Sequence, residues 1–325
     1  MASTLSVAVH PSQFPEILQR ELIEGLRQRR VPPKFLYQSY KQAQKWLAVH
    51  EAWSPARNDS DCTAIYEHGF SAACKLVSTQ RVVVIGLGCG GGQKEAQLLT
   101  LLSQHRKETS YIPCDVSLPL VLTASQAGQR AVKGSNISPL LCDLTAADDL
   151  ADVFNSLGDA SIPRIITFFG MIPNVEPDDA LPRLAGLVRP GDVLLVSANL
   201  APGPDYAAGV KQILPGYDNA ETRDWLLTFL IDIGIEREDG NLQINIEDAQ
   251  GLKRIVADFL FIQDAASTIH GERVEFRSGE QLRLFFSYRY TPDRIERLLK
   301  QHKLKLVDKW ITKSEEEGVF SIIHD

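Results

Sequence analysis

The chain has 325 residues, of which 44% are hydrophobic and 23% charged, a composition typical of a globular protein with a sizeable core. Its net charge of −7 argues against a nucleic-acid partner. We find no signal peptide and no apolar run of about 18 residues, and therefore expect a soluble cytoplasmic protein with no membrane contact. The five cysteines are odd in number and lack paired spacing, which argues against a disulfide framework and against a zinc or other metal site.

The first predicted element is an amphipathic helix, and a long stretch of alternating strands and helices follows it. Apolar residues at helical spacing from Phe14 to Leu26 predict the helix, which ends before the Pro32-Pro33 pair. From Arg81 onward we predict strands 82–86, 111–114, 139–142, 164–169 and 192–197, separated by helices 94–104, 119–132, 146–156 and 178–188. This alternation predicts a parallel sheet with helices on both faces.

The alternation stops after residue 200. Between 201 and 288 we predict helix 221–233, a polar turn near Asp239-Gly240, and strands 256–263 and 281–290. We interpret this segment as a lid or substrate lobe inserted late in the sheet. A helix over 292–302 and strands 304–311 and 319–323 follow it. Because a short acidic turn joins the last two strands, we expect them to pair antiparallel.

The first strand of the alternating region ends in a glycine-rich turn. Five of the seven residues from Gly86 to Gly92 are glycine, which permits positive φ angles and close approach of the backbone to a ligand. The spacing of Gly86, Gly88 and Gly90 is common in S-adenosylmethionine (SAM) methyltransferases, whereas Gly86, Gly88 and Gly91 also fit the dinucleotide fingerprint. The turn therefore predicts a nucleotide-containing cofactor, and both cofactors remain open at this point.

Two carboxylates follow the next two predicted strands. Asp115 follows strand 111–114 and Asp143 follows strand 139–142, where open α/β sheets bind their ligands. The first can accept hydrogen bonds from ribose hydroxyls and the second from an adenine amino group, although either could instead cap a helix. Together with the turn at 189–192 and the antiparallel closing strands, the pair favours a methyltransferase over a dehydrogenase.

Several motifs spread along the chain support a more specific interpretation. They are Pro32-Pro33-Lys34-Phe35-Leu36-Tyr37, residues 51–57, residues 87–94, residues 111–117, Phe168-Phe169-Gly170 leading to Asn174, Tyr217-Asp218, and Gly279-Glu280 followed by Ser287 and Arg289-Tyr290. In this combination the chain resembles the ergothioneine-pathway histidine Nα-methyltransferase family. That family also includes fungal enzymes that N-methylate a prenylated tryptophan.

The resemblance implies a class I SAM-methyltransferase fold, a Rossmann-like α/β sheet with an additional substrate-binding lobe. The SAM-binding core would span 62–200 and be completed by 290–325, and residues 1–61 with 201–289 would form the lobe. The expected cofactor contacts are Tyr37, Gly86, Gly88, Gly90, Lys94, Asp115, Asp143, Leu144 and Gly170. The expected substrate contacts are Trp53, Asn174, Tyr217, Phe285 and Ser287, with Asn174 and Tyr217 as catalytic residues.

The chain departs from the family pattern in the expected substrate pocket. The stretch 51–57, which includes Trp53, replaces the family's tyrosine pair and Pro-Thr-Arg element, and residues 170–174 shorten a glycine-rich loop. Phe285 stands where histidine-binding members carry a glutamate, and a phenyl ring cannot pair with an imidazole N–H. An indole, another aromatic or an aliphatic amine would suit Phe285 better. A one-residue shift in register would instead turn Phe285 toward the core.

These observations predict a SAM-dependent N-methyltransferase that acts on the amino group of a free amino acid or related small amine other than histidine. The reaction requires a neutral nitrogen placed in line with the carbon–sulfur bond of the sulfonium, and a route for the ammonium proton. Two other functions remain open, an NAD-dependent oxidoreductase and a non-catalytic SAM-binding protein.

Overall fold

The computed structural model describes residues 4–54 and 59–325. Its strands, in chain order, are β1 (Ala8–Val9), β2 (Arg81–Leu87), β3 (Glu108–Asp115), β4 (Asn136–Ile137), β5 (Leu140–Leu141), β6 (Arg164–Phe169), β7 (Val193–Asn199), β8 (Gly240–Ala249), β9 (Leu252–Phe261), β10 (Ala265–Ile269), β11 (Glu272–Phe276), β12 (Gln281–Arg289), β13 (Leu304–Ile311) and β14 (Glu317–His324). Its α-helices are α1 (Pro15–Arg27), α2 (Tyr40–Trp53), α3 (Ser60–Leu76), α4 (Gln93–Gln104), α5 (Leu118–Ala131), α6 (Leu150–Leu157), α7 (Pro177–Leu187), α8 (Tyr206–Ile213), α9 (Ala220–Asp232) and α10 (Pro292–Gln301). No described helix is long and apolar enough to cross a membrane.

Nine strands form a mostly parallel sheet in the order β1-β5-β3-β2-β6-β7-β14-β13, with β4 beside β3. The strands from β1 to β7 in this order pair parallel, whereas β14 pairs antiparallel with both β7 and β13. The valine-rich β2 lies at the centre and is buried from Val82 to Leu87, as expected for a strand covered on both faces. The predicted Rossmann-like α/β class, with its antiparallel closing pair, is confirmed.

The chain changes direction across this sheet between β2 and β6. From β2 it proceeds outward to β3 and β5, and after α6 it returns to β6 and β7 on the other side. Open α/β sheets bind ligands outside the carboxyl ends of their strands at such a switch point. The glycine-rich turn after β2 and the loop after β6 border the same crevice.

A second layer consists of the antiparallel sheet β12-β9-β8 and the β10–β11 hairpin. One side of it packs with α1 and α9 in a core that contains the stacked rings of Phe261 and Phe276, 4.6 Å apart at their centroids. From the other side of β12, Phe286, Tyr288 and Tyr290 enter the core of the large sheet. The strand β12 therefore anchors the second layer to the first.

The structure differs from the predicted elements mainly outside the alternating region. Helices α2, α3 and α8 and strands β1, β4, β8, β10 and β11 were not predicted from the sequence. The predicted helix 146–156 begins only at Leu150, because Asp143 closes a turn by accepting bonds from the amide and hydroxyl of Thr145. Strand β1 pairs with β5 of the large sheet, so the N-terminal segment contacts the expected core directly. The division into core and lobe stays a prediction.

Candidate functional site

A cavity of about 910 Å³ lies between the carboxyl ends of the central strands and the second layer. Its volume is in the range of sites that enclose a small molecule. Of the residues predicted from the sequence, those that line it are Tyr37, Trp53, Gly88, Gly90, Lys94, Asp115, Asp143, Leu144, Gly170, Asn174, Tyr217 and Phe285. Two others do not line it: Gly86 lies beneath the turn and Ser287 behind Tyr217. The structure thus brings the two predicted groups of contacts to one cavity.

The glycine-rich turn can adopt its shape only because its residues lack side chains. Gly88, Gly90 and Gly92 have φ angles of 63°, 51° and 71°, in the left-handed region. A Cβ at Gly88 would lie 2.5 Å from the side chain of Met171, and one at Gly92 would lie 2.6 Å from the α5 backbone. Gly86 is buried, and a Cβ there would lie 3.3 Å from Cys89. It therefore supports the turn from below.

Asp115, the last residue of β3, holds this turn in place. One carboxylate oxygen accepts the amide of Gly90 at 3.1 Å and the other accepts the amide of Ser117 at 3.0 Å. Burial raises the pKa of Asp115 to about 6, although these backbone donors oppose the rise. The carboxylate is thus ionised at neutral pH, and each oxygen keeps a free lone pair for a further donor. Asp115 also orders the segment before α5, but it does not cap that helix, whose N-cap residue is Ser117.

Asp143 carries a partner that the sequence did not predict. The ammonium of Lys34 lies 2.9 Å from its carboxylate and also pairs with Glu21, and all three side chains are largely buried. Burial alone would raise the pKa of Asp143, but Lys34 and the hydroxyl of Thr145 hold it below its usual range. The N-terminal segment is therefore joined electrostatically to the loop after β5. The sequence carried no sign of this pair beyond the presence of Lys34 in a motif.

Lys94 lies at the start of α4 and belongs to a buried polar cluster. Its ammonium donates to the hydroxyl of Tyr66, lies 4.0 Å from the centre of that ring, and is 3.9 Å from the carboxylate of Glu317. Tyr66 in turn donates to Glu317. Burial, followed by the negative charge of Glu317, raises the pKa of Tyr66 well above its usual value. Tyr66 and Glu317 both line the cavity, and neither was identified from the sequence.

Tyr217 is the centre of a hydrogen-bond network on the opposite wall. Its hydroxyl lies 3.1 Å from the hydroxyl of Ser287, accepts the side-chain amide of Asn199 at 3.1 Å, and accepts a guanidinium N–H of Arg289. Asn174 lines the cavity from the short helical turn Ile172–Asn174. Ser287 therefore contributes to the site by positioning Tyr217.

The strand β12 places Phe285 on the cavity side. An extra residue interrupts the pairing of β12 with β9 between Arg283 and Phe285, and this bulge changes which side chains face the cavity. Beyond it, Phe285, Ser287 and Arg289 share the face toward Tyr217, because alternate residues of a strand point the same way. The Phe285 ring lies 6.1 Å from the ring of Tyr217 and 5.8 Å from that of Trp225.

Aromatic side chains continue this wall. Trp225 lies 5.4 Å from Tyr37, which lies 5.7 Å from Trp46. Trp53 stands at the rim, half exposed, and donates its indole N–H to Glu221 at 3.1 Å. The rest of its motif, Pro55 to Arg57, lies outside the described residues. This part of the cavity is apolar and suits a flat or aliphatic group.

Glu176, two residues beyond Asn174, joins three segments of the chain at the cavity edge. It accepts hydrogen bonds from Arg30 at 2.8 Å, from Arg254 at 3.3 Å and from the hydroxyl of Tyr288 at 2.6 Å. One carboxylate thus connects four parts of the chain: the segment before α2, the strands β9 and β12, and the loop after β6. Among the described residues, no group of histidine, cysteine, aspartate and glutamate is arranged to hold a metal ion.

Comparison with known proteins gives consistent matches. A sequence model of the SAM-dependent, histidine-specific methyltransferases matches residues 18–323. The histidine N-alpha-methyltransferase of Mycobacterium tuberculosis is 23% identical over 209 residues, a match that covers 62% of this chain and 60% of that protein. The N-methyltransferase imqF of Aspergillus flavus is 21% identical over 316 residues, covering 93% of this chain and 83% of that protein. A solved magnesium protoporphyrin IX methyltransferase from Synechocystis with bound S-adenosylhomocysteine (SAH) aligns with a TM-score of 0.46 at 13% identity, covering 89% of this chain and 97% of that one.

Proposed function

The chain belongs to the SAM-dependent, histidine-specific methyltransferase family, and from this premise we propose that it methylates the amino nitrogen of a small amine or free amino acid other than histidine. The family match over residues 18–323 confirms the resemblance predicted from the motifs, and with it SAM as the cofactor. It also favours SAM over the nicotinamide alternative. The acceptor and the roles of individual residues belong to the proposal.

The cavity wall near the glycine turn has the shape and charge that SAM requires. Gly88 lines this wall, and the turn packs so closely there that a Cβ would meet the side chain of Met171. We assign the ribose hydroxyls to Asp115, the adenine to Asp143 and Leu144, and the charged amino acid end of the cofactor to Lys94. This assignment is supported by the two ionised carboxylates at the ends of β3 and β5 and by the cation at the start of α4. Tyr37 and Gly170 border the cofactor's middle.

When bound, SAM supplies an electrophilic methyl group on a sulfonium. The chain's own contribution is to hold the acceptor nitrogen in line with that methyl group and to exclude water, since the displacement needs no covalent help from the protein. An ammonium acceptor must first lose its proton, and an apolar wall favours the neutral amine by desolvation. The Tyr217 hydroxyl, already bonded to Ser287, Asn199 and Arg289, is the group placed to pass that proton toward water, and Asn174 would orient the amine.

The position of Phe285 carries the proposal that histidine is not the acceptor. The ring lies between Tyr217 and Trp225 in the cavity wall and also packs against the core of the second layer, and its place in the wall supports a contact with the substrate. An imidazole placed there would lose its hydrogen-bonding partner and leave a buried N–H unpaired. An indole, a phenyl group or an aliphatic chain would pack against the ring instead.

A mass-spectrometric screen tests this function. The screen incubates purified protein with SAM and, one at a time, with amino acids, their amines and histidine. One or more apolar acceptors should yield a product 14 mass units heavier than the acceptor. Histidine should yield little product. Efficient methylation of histidine would contradict the proposed acceptor. SAM binding without a product from any amine would support the non-catalytic alternative instead.

A further inference from the structure

Arg289 is a buried cation without a carboxylate partner. It ends β12, is 5% exposed and lines the cavity. One N–H donates to Tyr217, whereas the Nε atom is buried and has no hydrogen-bond partner in the described part of the chain. Burial lowers the pKa of its guanidinium, as expected for a charge removed from water.

Two other arginines of the described chain, one buried and one partly buried, differ in this respect. Arg164 is 4% exposed and makes a two-pronged pair with Asp192. Arg283 is held between Glu247 and Asp258. Burying an unpaired charge is unfavourable unless another molecule supplies the counter-charge. Glu316 and Glu317 are near enough for their charges to act on Arg289, but neither forms an ion pair with it, and the carboxylate of Glu317 is engaged with Tyr66.

We propose that Arg289 binds the carboxylate of the acceptor, so the substrate is an amino acid and not the corresponding decarboxylated amine. This inference rests on the proposed function and names the substrate class of that same site. A guanidinium presents parallel N–H donors that match the two oxygens of a carboxylate, and the terminal N–H groups of Arg289 that do not bond to Tyr217 would supply them.

The arrangement of β12 also gives the acceptor an orientation. Phe285 and Arg289 lie on one face of the strand, four residues or roughly 13 Å apart along it, with Ser287 and Tyr217 between them. A carboxylate at Arg289 directs an apolar side chain toward Phe285. The amino group then falls near the Tyr217 hydroxyl, where its proton can leave.

The test compares acids with their decarboxylated amines: tryptophan with tryptamine, phenylalanine with phenethylamine, and leucine with isoamylamine. Because Arg289→Gln also removes the bond from Arg289 to the Tyr217 hydroxyl, kcat/KM for the matched amine serves as the internal reference. The variant should lower kcat/KM for the preferred acid by about 10- to 150-fold more than it lowers the value for the amine. Arg289→Lys keeps the charge and should fall between Arg289→Gln and the wild type. Arg297→Gln, which removes an exposed arginine of α10, should change neither.

A second carboxylate, that of the cofactor, could bind the same guanidinium, so SAH affinity must be measured in parallel. Unchanged SAH affinity in Arg289→Gln supports an acceptor site, and a comparable loss of SAH affinity overturns it. The melting temperature of ligand-free Arg289→Gln should not fall below that of the wild type, because the charge it removes was uncompensated. A lower melting temperature in both Arg289→Gln and Arg289→Lys would indicate a structural role for Arg289 and overturn the proposal.

If the wild type turns over none of these compounds, the proposed function fails but the inference can still be decided. Calorimetry on SAH-loaded protein then compares each acid with its amine. Binding of an acid that Arg289→Gln abolishes supports the carboxylate site. Equal binding of acid and amine, or binding of neither, overturns it.

Discussion

Replacing Asp115 with asparagine should weaken cofactor binding and remove its dependence on pH. The carboxylate already accepts two backbone amides, and we expect the ribose hydroxyls to donate to its remaining lone pairs. Loss of a charge-assisted acceptor costs about 1.5 to 3 kcal/mol, or about 10- to 150-fold in affinity. Asparagine keeps the size of the side chain, but only its oxygen can accept, so the amide of either Gly90 or Ser117 also loses its acceptor.

The pH dependence follows from the raised pKa of Asp115, about 6. Hydroxyl donors bind the ionised form, so affinity should be constant above that pKa and fall as the pH drops below it. At about pH 5 only about one carboxyl in ten is ionised, so the wild type should bind SAH about tenfold more weakly than at about pH 7.5. The asparagine variant has no proton to gain there and should show a flat profile.

Isothermal titration calorimetry with SAH at several pH values measures both effects. Asp308→Asn, a change at an exposed aspartate of β13, serves as the matched control and should reproduce the wild-type profile. The reasoning would be refuted by a wild-type affinity that does not change between about pH 5 and about pH 7.5, or by the same pH slope in Asp115→Asn. Either result would remove Asp115 from the ribose site.

Three further predictions concern the acceptor pocket, a buried ion pair and the glycine turn. Phe285→Glu should raise kcat/KM for histidine relative to the wild type and lower it for the apolar acceptor, whereas Phe285→Leu should not raise the value for histidine. An unchanged value for histidine in Phe285→Glu would contradict the role of Phe285 in choosing the acceptor. Lys34→Met should destabilise the fold by about 3 to 5 kcal/mol in chemical denaturation, because it leaves a buried carboxylate unpaired, whereas Lys41→Met, in an exposed pair, should cost less than about 1 kcal/mol. Gly92→Ala should abolish SAH binding, since the new Cβ would meet the α5 backbone at 2.6 Å. The control Gly134→Ala, also at positive φ but with open space around it, should leave binding unchanged. Retained binding in Gly92→Ala would contradict the rigid-turn interpretation.

The alternating core of the fold could be predicted from the sequence because its strands are unmistakable. Within this core, the mainly apolar stretch 164–169 predicts a strand at the observed limits, Arg164–Phe169. Beyond it, the apolar residues of 304–311 do the same for the closing strand Leu304–Ile311. Helix α2 was missed although its capping box, Ser39 with Gln42, is a sequence signal. The hairpin of β10 and β11 was missed because each strand has only five residues and weak alternation.

The candidate site could be predicted only where a residue follows a strand or a turn. Asp115 and Asp143 qualify, because the carboxyl ends of parallel strands meet at one edge. The partner of Asp143 is Lys34, more than one hundred residues away, and no local pattern identifies such a pair. The cluster of Lys94 with Tyr66 and Glu317 is equally remote. Arg289 was visible in a motif, but its missing counter-charge appears only in three dimensions.

The carboxylate of Glu176 makes distant positions of the chain depend on one another. Arg30, Arg254 and Tyr288 all donate to it, so replacing any one donor alters the charge and hydrogen bonding that remain for the other two. Substitutions there should combine non-additively, with the effect of each set by what occupies the other positions. Related chains should therefore exchange these residues together and rarely one at a time, which restricts the routes by which the proposed acceptor pocket beside Asn174 can acquire a new specificity.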